Sequence, residues 1–205
     1  AEPAPDGAAP SALTRKPRYR DVFTRDTLLY FVGFVAFNIS LLAVLGMLPS
    51  VLQMRGMDPT LSGFVSTLPM LISIASGIAF GMLLDKTGKL KFLLVLTIGF
   101  LGPCTFIMYT QEGALMWAGA LVMGVIGLGS VGLMIAGFLH TLEYPELATI
   151  GMGVLVTVQG LGQFLGTFLV QALLGPQLDN VCLAGGVVMA IGILGAICLA
   201  LCRYK

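Results

Sequence analysis

Six long apolar stretches, separated by short polar segments, constrain the fold of this chain more than any other feature of its sequence. They cover residues 27–48, 61–84, 90–109, 114–139, 147–174 and 181–202. A helix needs about 20 apolar residues to cross the hydrocarbon core of a bilayer, and each stretch reaches that length. The runs are continuous rather than alternating, which favours helices over the strands of a membrane barrel. We therefore expect an all-α, multi-pass membrane protein with six transmembrane helices.

The composition excludes a water-soluble domain. Apolar residues make up 57% of the chain and charged residues 10%, whereas soluble domains carry about 25% charged residues. The net charge is +1, so nothing indicates a nucleic-acid partner. One histidine and four cysteines without metal-ligand spacing predict neither a metal site nor a cofactor. The cysteines are interpreted as apolar filler, with palmitoylation of Cys202 as the alternative.

The distribution of basic residues predicts the topology. Basic residues precede the first stretch, lie between the second and third, and follow the sixth, and these positions share one side of the membrane. Only Arg55 lies on the other side, at the rim. Because basic loops resist translocation, we expect the basic side and both termini to be cytoplasmic. The predicted location is the cytoplasmic (inner) cell membrane.

Residues 1–26 are predicted to form a cytoplasmic segment distinct from the membrane domain at 27–205. Three prolines and no apolar periodicity in residues 1–11 are typical of a disordered linker. A basic stretch follows, which predicts an interfacial segment with Tyr19 and Phe23 at headgroup level. The sequence begins with Ala1 rather than Met, so we expect a processed product or a piece of a longer chain.

The loop between the second and third stretches carries the most specific motif in the chain. Two glycines, an aspartate and three lysines lie there at the spacing of a known motif: Gly81, Asp85, Lys86, Gly88, Lys89 and Lys91. This pattern resembles the signature loop of the major facilitator superfamily, although Phe92 replaces a final basic residue. Without the resemblance, the same residues also suit an ordinary positive-inside loop with a turn glycine.

The resemblance implies a conformational latch that closes the cytoplasmic side while a transporter faces outward. Asp85 would be its acid, and the lysines would be its partners and its anchors to the anionic leaflet. Gly88 allows a tight reversal with positive φ, and Gly81, together with Gly77, allows close helix packing. The resemblance also implies two three-helix repeats of inverted topology within one half of a two-half transporter. The basic, proline-rich prefix and the weakened motif favour the C-terminal half.

Polar side chains at membrane depth are the candidates for a solute cavity, because they are costly in lipid unless they pair or meet water. The first candidates are Asn38, Gln159 and Gln163, with Ser66 and Ser130 behind them. Each can donate or accept hydrogen bonds to a polar solute. The alternative is that they bond across helices without touching solute. In the family plan, the third and sixth helices face lipid and support the other four.

No Asp, Glu, Lys, Arg or His falls in the central part of any stretch. A coupling charge must then come from a partner half, or transport is facilitated or exchange-driven. We expect no enzymatic activity but a secondary transporter that moves a small-molecule substrate by alternating access. Its expected partners are membrane lipid and a complementary six-helix half, supplied by a separate chain, a missing N-terminal segment or a second copy. The alternatives are a non-transporting scaffold or assembly domain of the same ancestry, or a drug-efflux component.

Overall fold

The computed structural model describes residues 22–142, 144–175 and 180–204, and these residues form helices without any strand. Six helical segments within them are long and apolar enough to cross a membrane. We call them spans 1 to 6: Arg25–Met54, Pro59–Thr87, Leu90–Thr110, Ala114–Leu139, Ala148–Leu174 and Val181–Leu201. The prediction of an all-α, six-helix membrane protein is confirmed. Most of the predicted linker, including Tyr19, lies outside the described residues.

The first two spans begin and end at side-chain caps and turn glycines. The hydroxyl of Thr24 accepts the N–H of Thr27 at 3.3 Å and caps span 1. Span 1 then continues beyond the predicted 27–48, to Met54. The carboxylate of Asp58 accepts two N–H groups of the first turn of span 2. Such caps satisfy backbone donors that a helix end leaves unpaired.

The contacts between spans follow an approximate two-fold pattern. Spans 3 and 6 pack against each other most extensively, and span 1 packs against spans 5 and 6, while span 4 packs against spans 2 and 3. Exchanging spans 1–3 for spans 4–6 converts the 1–5 contact into the 4–2 contact, and the 1–6 contact into the 4–3 contact. This is the pattern that two three-helix repeats of inverted topology produce.

Glycines bring the central helices close together. A Cβ on Gly192 of span 6 would lie 3.1 Å from the Cα of Gly102 of span 3. A Cβ on Gly102 would in turn lie 3.0 Å from the carbonyl oxygen of Met189. The two backbones are in direct contact here, as small residues allow between membrane helices.

Spans 2 and 5 have the most open faces of the six spans. In the most apolar stretch of span 2, 17% of the residues are buried, and the corresponding share for span 5 is 22%. Spans 3 and 6 reach 56% and 33%. The expectation that spans 3 and 6 face lipid, while the other four border a cavity or a second half, stays a prediction, and the open faces of spans 2 and 5 are compatible with it. Spans 3 and 6 pack back to back, which leaves spans 2 and 5 with the largest open faces.

Spans 1 and 4 each contain an irregular segment within the helix. Each contains a π-helical turn, at Ala43–Met47 in span 1 and at Met123–Gly127 in span 4. A carbonyl in each turn accepts a side-chain hydroxyl from a neighbouring span. Tyr109 Oη donates to the Ala43 carbonyl at 2.6 Å, and Ser76 Oγ donates to the Gly124 carbonyl at 3.0 Å. Single π-helical turns of this kind occur frequently at functional sites.

Candidate functional site

The signature loop makes a reversal of only two residues between spans 2 and 3. Gly88 ends span 2 in the left-handed region, with φ 64°, and its N–H donates to the Leu84 carbonyl at 2.7 Å. Span 3 begins at Leu90. The positive φ predicted for Gly88 is confirmed, and it is the conformation that favours glycine over other residues. The turn presents Asp85, Lys86 and Lys89 as exposed side chains at the loop.

Among the described residues, no helix packs closely against Gly81. A Cβ at Gly81 would meet no atom within 4 Å, whereas a Cβ at Gly77 would lie 3.4 Å from the carbonyl oxygen of Gly129 in span 4. The expectation of close packing at Gly81 therefore stays a prediction, since no helix of the described residues reaches it. Span 2 diverges from span 4 toward the loop, so the approach at Gly77 is not repeated one turn later.

The loop lies at the same end of the protein as the start of span 1 and the residues after span 6. We call this end, with Arg25, Lys86, Lys89, Lys91 and Arg203, the basic end. Lys91 Nζ donates to the carbonyl of Cys202 at 3.0 Å, and the backbone N–H of Arg203 donates to Asp26 Oδ1 at 3.2 Å. These bonds connect the chain after span 6 to spans 1 and 3.

Asp85 has no ion-pair partner in the part of the chain that the structure describes. The only ion pair there joins Arg55 Nε to Glu112 Oε1 at 3.8 Å, at the opposite end of the protein. Asp85 is exposed on the last turn of span 2. Its carboxylate is therefore accessible to a group outside this six-helix unit.

Asn38 is fully buried in the middle of span 1, at the contact with span 5. Its Nδ2 donates to the Phe34 carbonyl at 2.8 Å, and its Oδ1 has no partner among the described residues. A Cβ on Gly162 of span 5 would lie 2.9 Å from the Cβ of Asn38. In this arrangement Asn38 faces the helix interface and leaves one acceptor unused.

The two serines of the candidate cavity are also fully buried, and both bond within their own helices. Ser66 Oγ donates to the Ser62 carbonyl at 2.9 Å, and Ser130 Oγ donates to the Gly127 carbonyl at 3.0 Å. They belong to spans 2 and 4, away from the contact between spans 1 and 5. The predicted cavity residues thus divide into two groups rather than forming one cluster.

Gln159 and Gln163 occupy the middle of span 5 and are only half-buried. They lie one helical turn apart, so their side chains follow one line along the helix. No hydrogen bond joins either side-chain amide to a residue within 22–142, 144–175 or 180–204. Neighbouring Gly162 and Gly166 face span 1, where a Cβ would meet Asn38 and Ile39. The glutamines therefore lie beside the buried face of span 5 and not on it.

Two tyrosines that the sequence analysis did not single out connect spans across the domain. Tyr30 Oη in span 1 donates to the Met134 carbonyl in span 4, and Tyr109 in span 3 donates to span 1 as described above. At the opposite end, Arg55 Nη2 donates to the Tyr109 carbonyl. A tyrosine within an apolar run is the signal that would have identified both, because its hydroxyl needs a partner when it is buried.

Comparison with known proteins identifies the family. No curated protein matches the sequence. The family model of the Major Facilitator Superfamily matches residues 1–167, which include the signature loop and the candidate cavity residues. The six-helix architecture and the contact pattern of its spans agree with one half of such a transporter. The chain belongs to the major facilitator superfamily of membrane transporters.

Proposed function

We propose that this chain is one six-helix half of a secondary transporter that moves a small solute by alternating access. The observation that carries the proposal is the half-buried pair Gln159 and Gln163 at the middle of span 5. Amide side chains at membrane depth are costly when they face lipid. Water can hydrogen-bond to the exposed amide groups if the two glutamines line a water-filled path between this half and a complementary one.

The open face of span 2 supports the same proposal. Its exposed side chains include Met70, Ile74, Ile78 and Met82, each more than half exposed. The same helix carries Asp85 at its end, with no partner in the described residues. A complementary half packed along spans 2 and 5 would bury these apolar side chains and bring a group to Asp85. We take the basic end to be cytoplasmic, and this half to be the C-terminal one.

The proposed cycle assigns the latch to Asp85, with Lys86, Lys89 and Lys91 anchoring the loop to the anionic leaflet. When the cavity opens toward the side opposite the basic end, Asp85 binds the other half and closes the basic end. Release of Asp85 lets the halves rock and exposes Gln159 and Gln163 to the basic end. Solute binding shifts this equilibrium only by its difference in affinity between the two states.

Cysteine labelling tests the cavity without knowledge of the solute. In a background where Cys104, Cys182, Cys198 and Cys202 are replaced by alanine, Gln163→Cys is treated with a membrane-impermeant thiol reagent. We expect labelling in vesicles of both orientations, because an alternating cavity admits water from each side in turn. Adding Asp85→Asn should increase labelling from the basic end and decrease it from the other, since the latch is weakened.

The matched control is Leu194→Cys, at a position on span 6 that is 60% exposed. This position faces lipid in the proposed arrangement and should resist the impermeant reagent. If Gln163→Cys reacts no faster than Leu194→Cys, the cavity does not exist and a non-transporting scaffold is the better explanation. If Asp85→Asn leaves the balance between the two sides unchanged, the latch assignment is wrong.

A further inference from the structure

A pocket of about 1170 Å³ opens at the basic end of the protein. It lies between the signature loop, the first turns of span 3, the end of span 4 and the residues that follow span 6. Its polar border includes Lys89, Lys91 and Arg203, and its apolar wall includes Phe92 and Val95. The pocket thus combines positive charge with an apolar surface at the level where a membrane helix meets water.

The basic side chains of this pocket outnumber the carboxylates beside it: Lys89, Lys91 and Arg203 line it, whereas Asp85 lines it and Asp26 accepts the backbone N–H of Arg203. Asp85 is the one acidic side chain among its described lining residues. No acidic group of the described residues forms an ion pair with Lys89, Lys91 or Arg203. Span 3 also begins here, at Leu90, without a side-chain cap on its first N–H groups. Uncapped N–H groups and the helix dipole add to the attraction for an anion.

A second cavity lies next to the pocket, along the membrane-spanning part of span 3. It has a volume of about 390 Å³ and is lined by Val95, Leu96, Gly99, Phe100 and Pro103 of span 3. Val95 borders both cavities. The lining runs along roughly 12 Å of helix, at 1.5 Å per residue. We call it the apolar groove, and it carries no charged residue.

Gly99 keeps the apolar groove open. A Cβ built at this position would meet no atom within 4 Å, although Gly99 lies in the middle of a helix that packs against spans 1, 4 and 6. The floor of the groove is therefore backbone, and the space above it is unoccupied by the described side chains. A flexible hydrocarbon chain fits such a groove better than a polar ligand does.

We propose that the pocket and the apolar groove together form a binding site for an anionic phospholipid. The phosphate group lies among Lys89, Lys91 and Arg203, and one acyl chain follows the groove past Gly99. Basic pockets between membrane helices are suited to acidic headgroups. The apolar groove beside the pocket supplies the surface that binds the acyl chain. A free anion would use the basic pocket and leave the groove empty. The site does not depend on transport, because it is defined by binding alone.

The test is a lipid titration followed by native mass spectrometry. The protein, extracted with its complex intact and then delipidated, is titrated with phosphatidylglycerol and with phosphatidylcholine of the same chain length. We expect one phosphatidylglycerol to bind more tightly than phosphatidylcholine. The double variant Lys89→Gln/Arg203→Gln should weaken that binding by about fivefold for each of the two charges removed. Lys86→Gln is the control, because Lys86 has the same charge in the same loop but does not line the pocket.

A second pair of variants tests the apolar groove. Gly99→Leu fills the groove and should reduce phosphatidylglycerol binding at least tenfold. Gly186→Leu is the control, since a Cβ at Gly186 in span 6 also meets no atom within 4 Å and this residue lies outside the groove. Equal binding of the two lipids, or equal effects of a variant and its control, would overturn the proposal. Full displacement by inorganic phosphate would also overturn it, by showing a site for a free anion.

Discussion

At the scale of single residues, the contact between spans 1 and 5 depends on what each position can accommodate. Gly162 and Gly166 of span 5 face the backbone of span 1, and Asn38 lies buried opposite Gly162. Neighbouring Gly160 lies on the open side of the same helix, where a Cβ meets nothing within 4 Å. Two glycines only two residues apart thus have opposite structural roles.

Gly162→Ala should destabilise the protein, whereas Gly160→Ala should not. The new methyl group at position 162 would lie 2.9 Å from the Cβ of Asn38 and 3.2 Å from the Cα of Val35, so the helices must separate. Overpacking of this kind costs about 1–3 kcal/mol. The measurement is the free energy of unfolding of each variant in mixed micelles. Similar values for the two would show that spans 1 and 5 do not pack in this way.

Cys202 is the residue whose environment most changes its expected chemistry. It is fully buried, and its thiol donates to the Asp26 carbonyl at 3.3 Å. Burial, then the nearby Asp26 and Cys198, raise the pKa of Cys202 to about 12, and Lys91 opposes this shift. The alternative of palmitoylation at Cys202 therefore finds no support in the structure, because the reactive species is an accessible thiolate.

Alkylation should accordingly distinguish Cys202 from Cys182, which is exposed at the start of span 6. Between pH 7 and 9 the Cys202 thiol stays almost wholly protonated because its raised pKa lies well above that range. We expect a small maleimide to label Cys182 at least about tenfold faster. Peptide mass spectrometry after timed quenching gives both rates in one sample. Rapid labelling of Cys202 at pH 7 would contradict the buried position.

At the scale of elements, the irregular middles of spans 1 and 4 are stabilised by their neighbours. A π-helical turn alters the regular hydrogen-bond pattern of a helix. In each span a hydroxyl from a neighbouring helix reaches a carbonyl of the turn, from Tyr109 to Ala43 and from Ser76 to Gly124. These two bonds couple spans 1 and 4 to the helices beside them.

Removal of the hydroxyl at position 76 should weaken the contact between spans 2 and 4. Ser76→Ala leaves the Gly124 carbonyl without its donor, and bonds between membrane helices contribute about 0.6 kcal/mol on average. Ser73→Ala is the control on the same helix, because Ser73 donates to the Met70 carbonyl of its own helix at 2.6 Å. Unfolding free energies should fall for Ser76→Ala and change less for Ser73→Ala. The reverse order would argue against a stabilising role for this bond.

At the scale of the whole molecule, the sequence predicted what depends on length and local chemistry. The lengths of the apolar stretches predicted the six spans. The glycine at position 88 of the signature loop predicted the positive φ that is observed there. Span 1 extends beyond its prediction because the chain stays helical through Pro49 until Gly56, where φ is 84°. Which face of a helix is buried depends on its neighbours, which is why the separation of Ser66 and Ser130 from the contact between spans 1 and 5 was not predicted. The contact between Asp26 and Cys202 joins residues far apart in sequence and leaves no local pattern.

The open faces of spans 2 and 5 imply that the working unit is larger than these six helices. We expect native mass spectrometry to show the 21.6 kDa unit together with a second six-helix polypeptide, or within one covalent chain of about twice that mass. Ile74→Asn, at a position of span 2 that is 70% exposed, should weaken that association because it places an unpaired amide in the interface. Leu194→Asn on span 6, 60% exposed, introduces the same amide where lipid is expected and should leave the association intact. A lone six-helix monomer, or equal effects of the two variants where the halves are separate polypeptides, would contradict a complementary half packed on span 2.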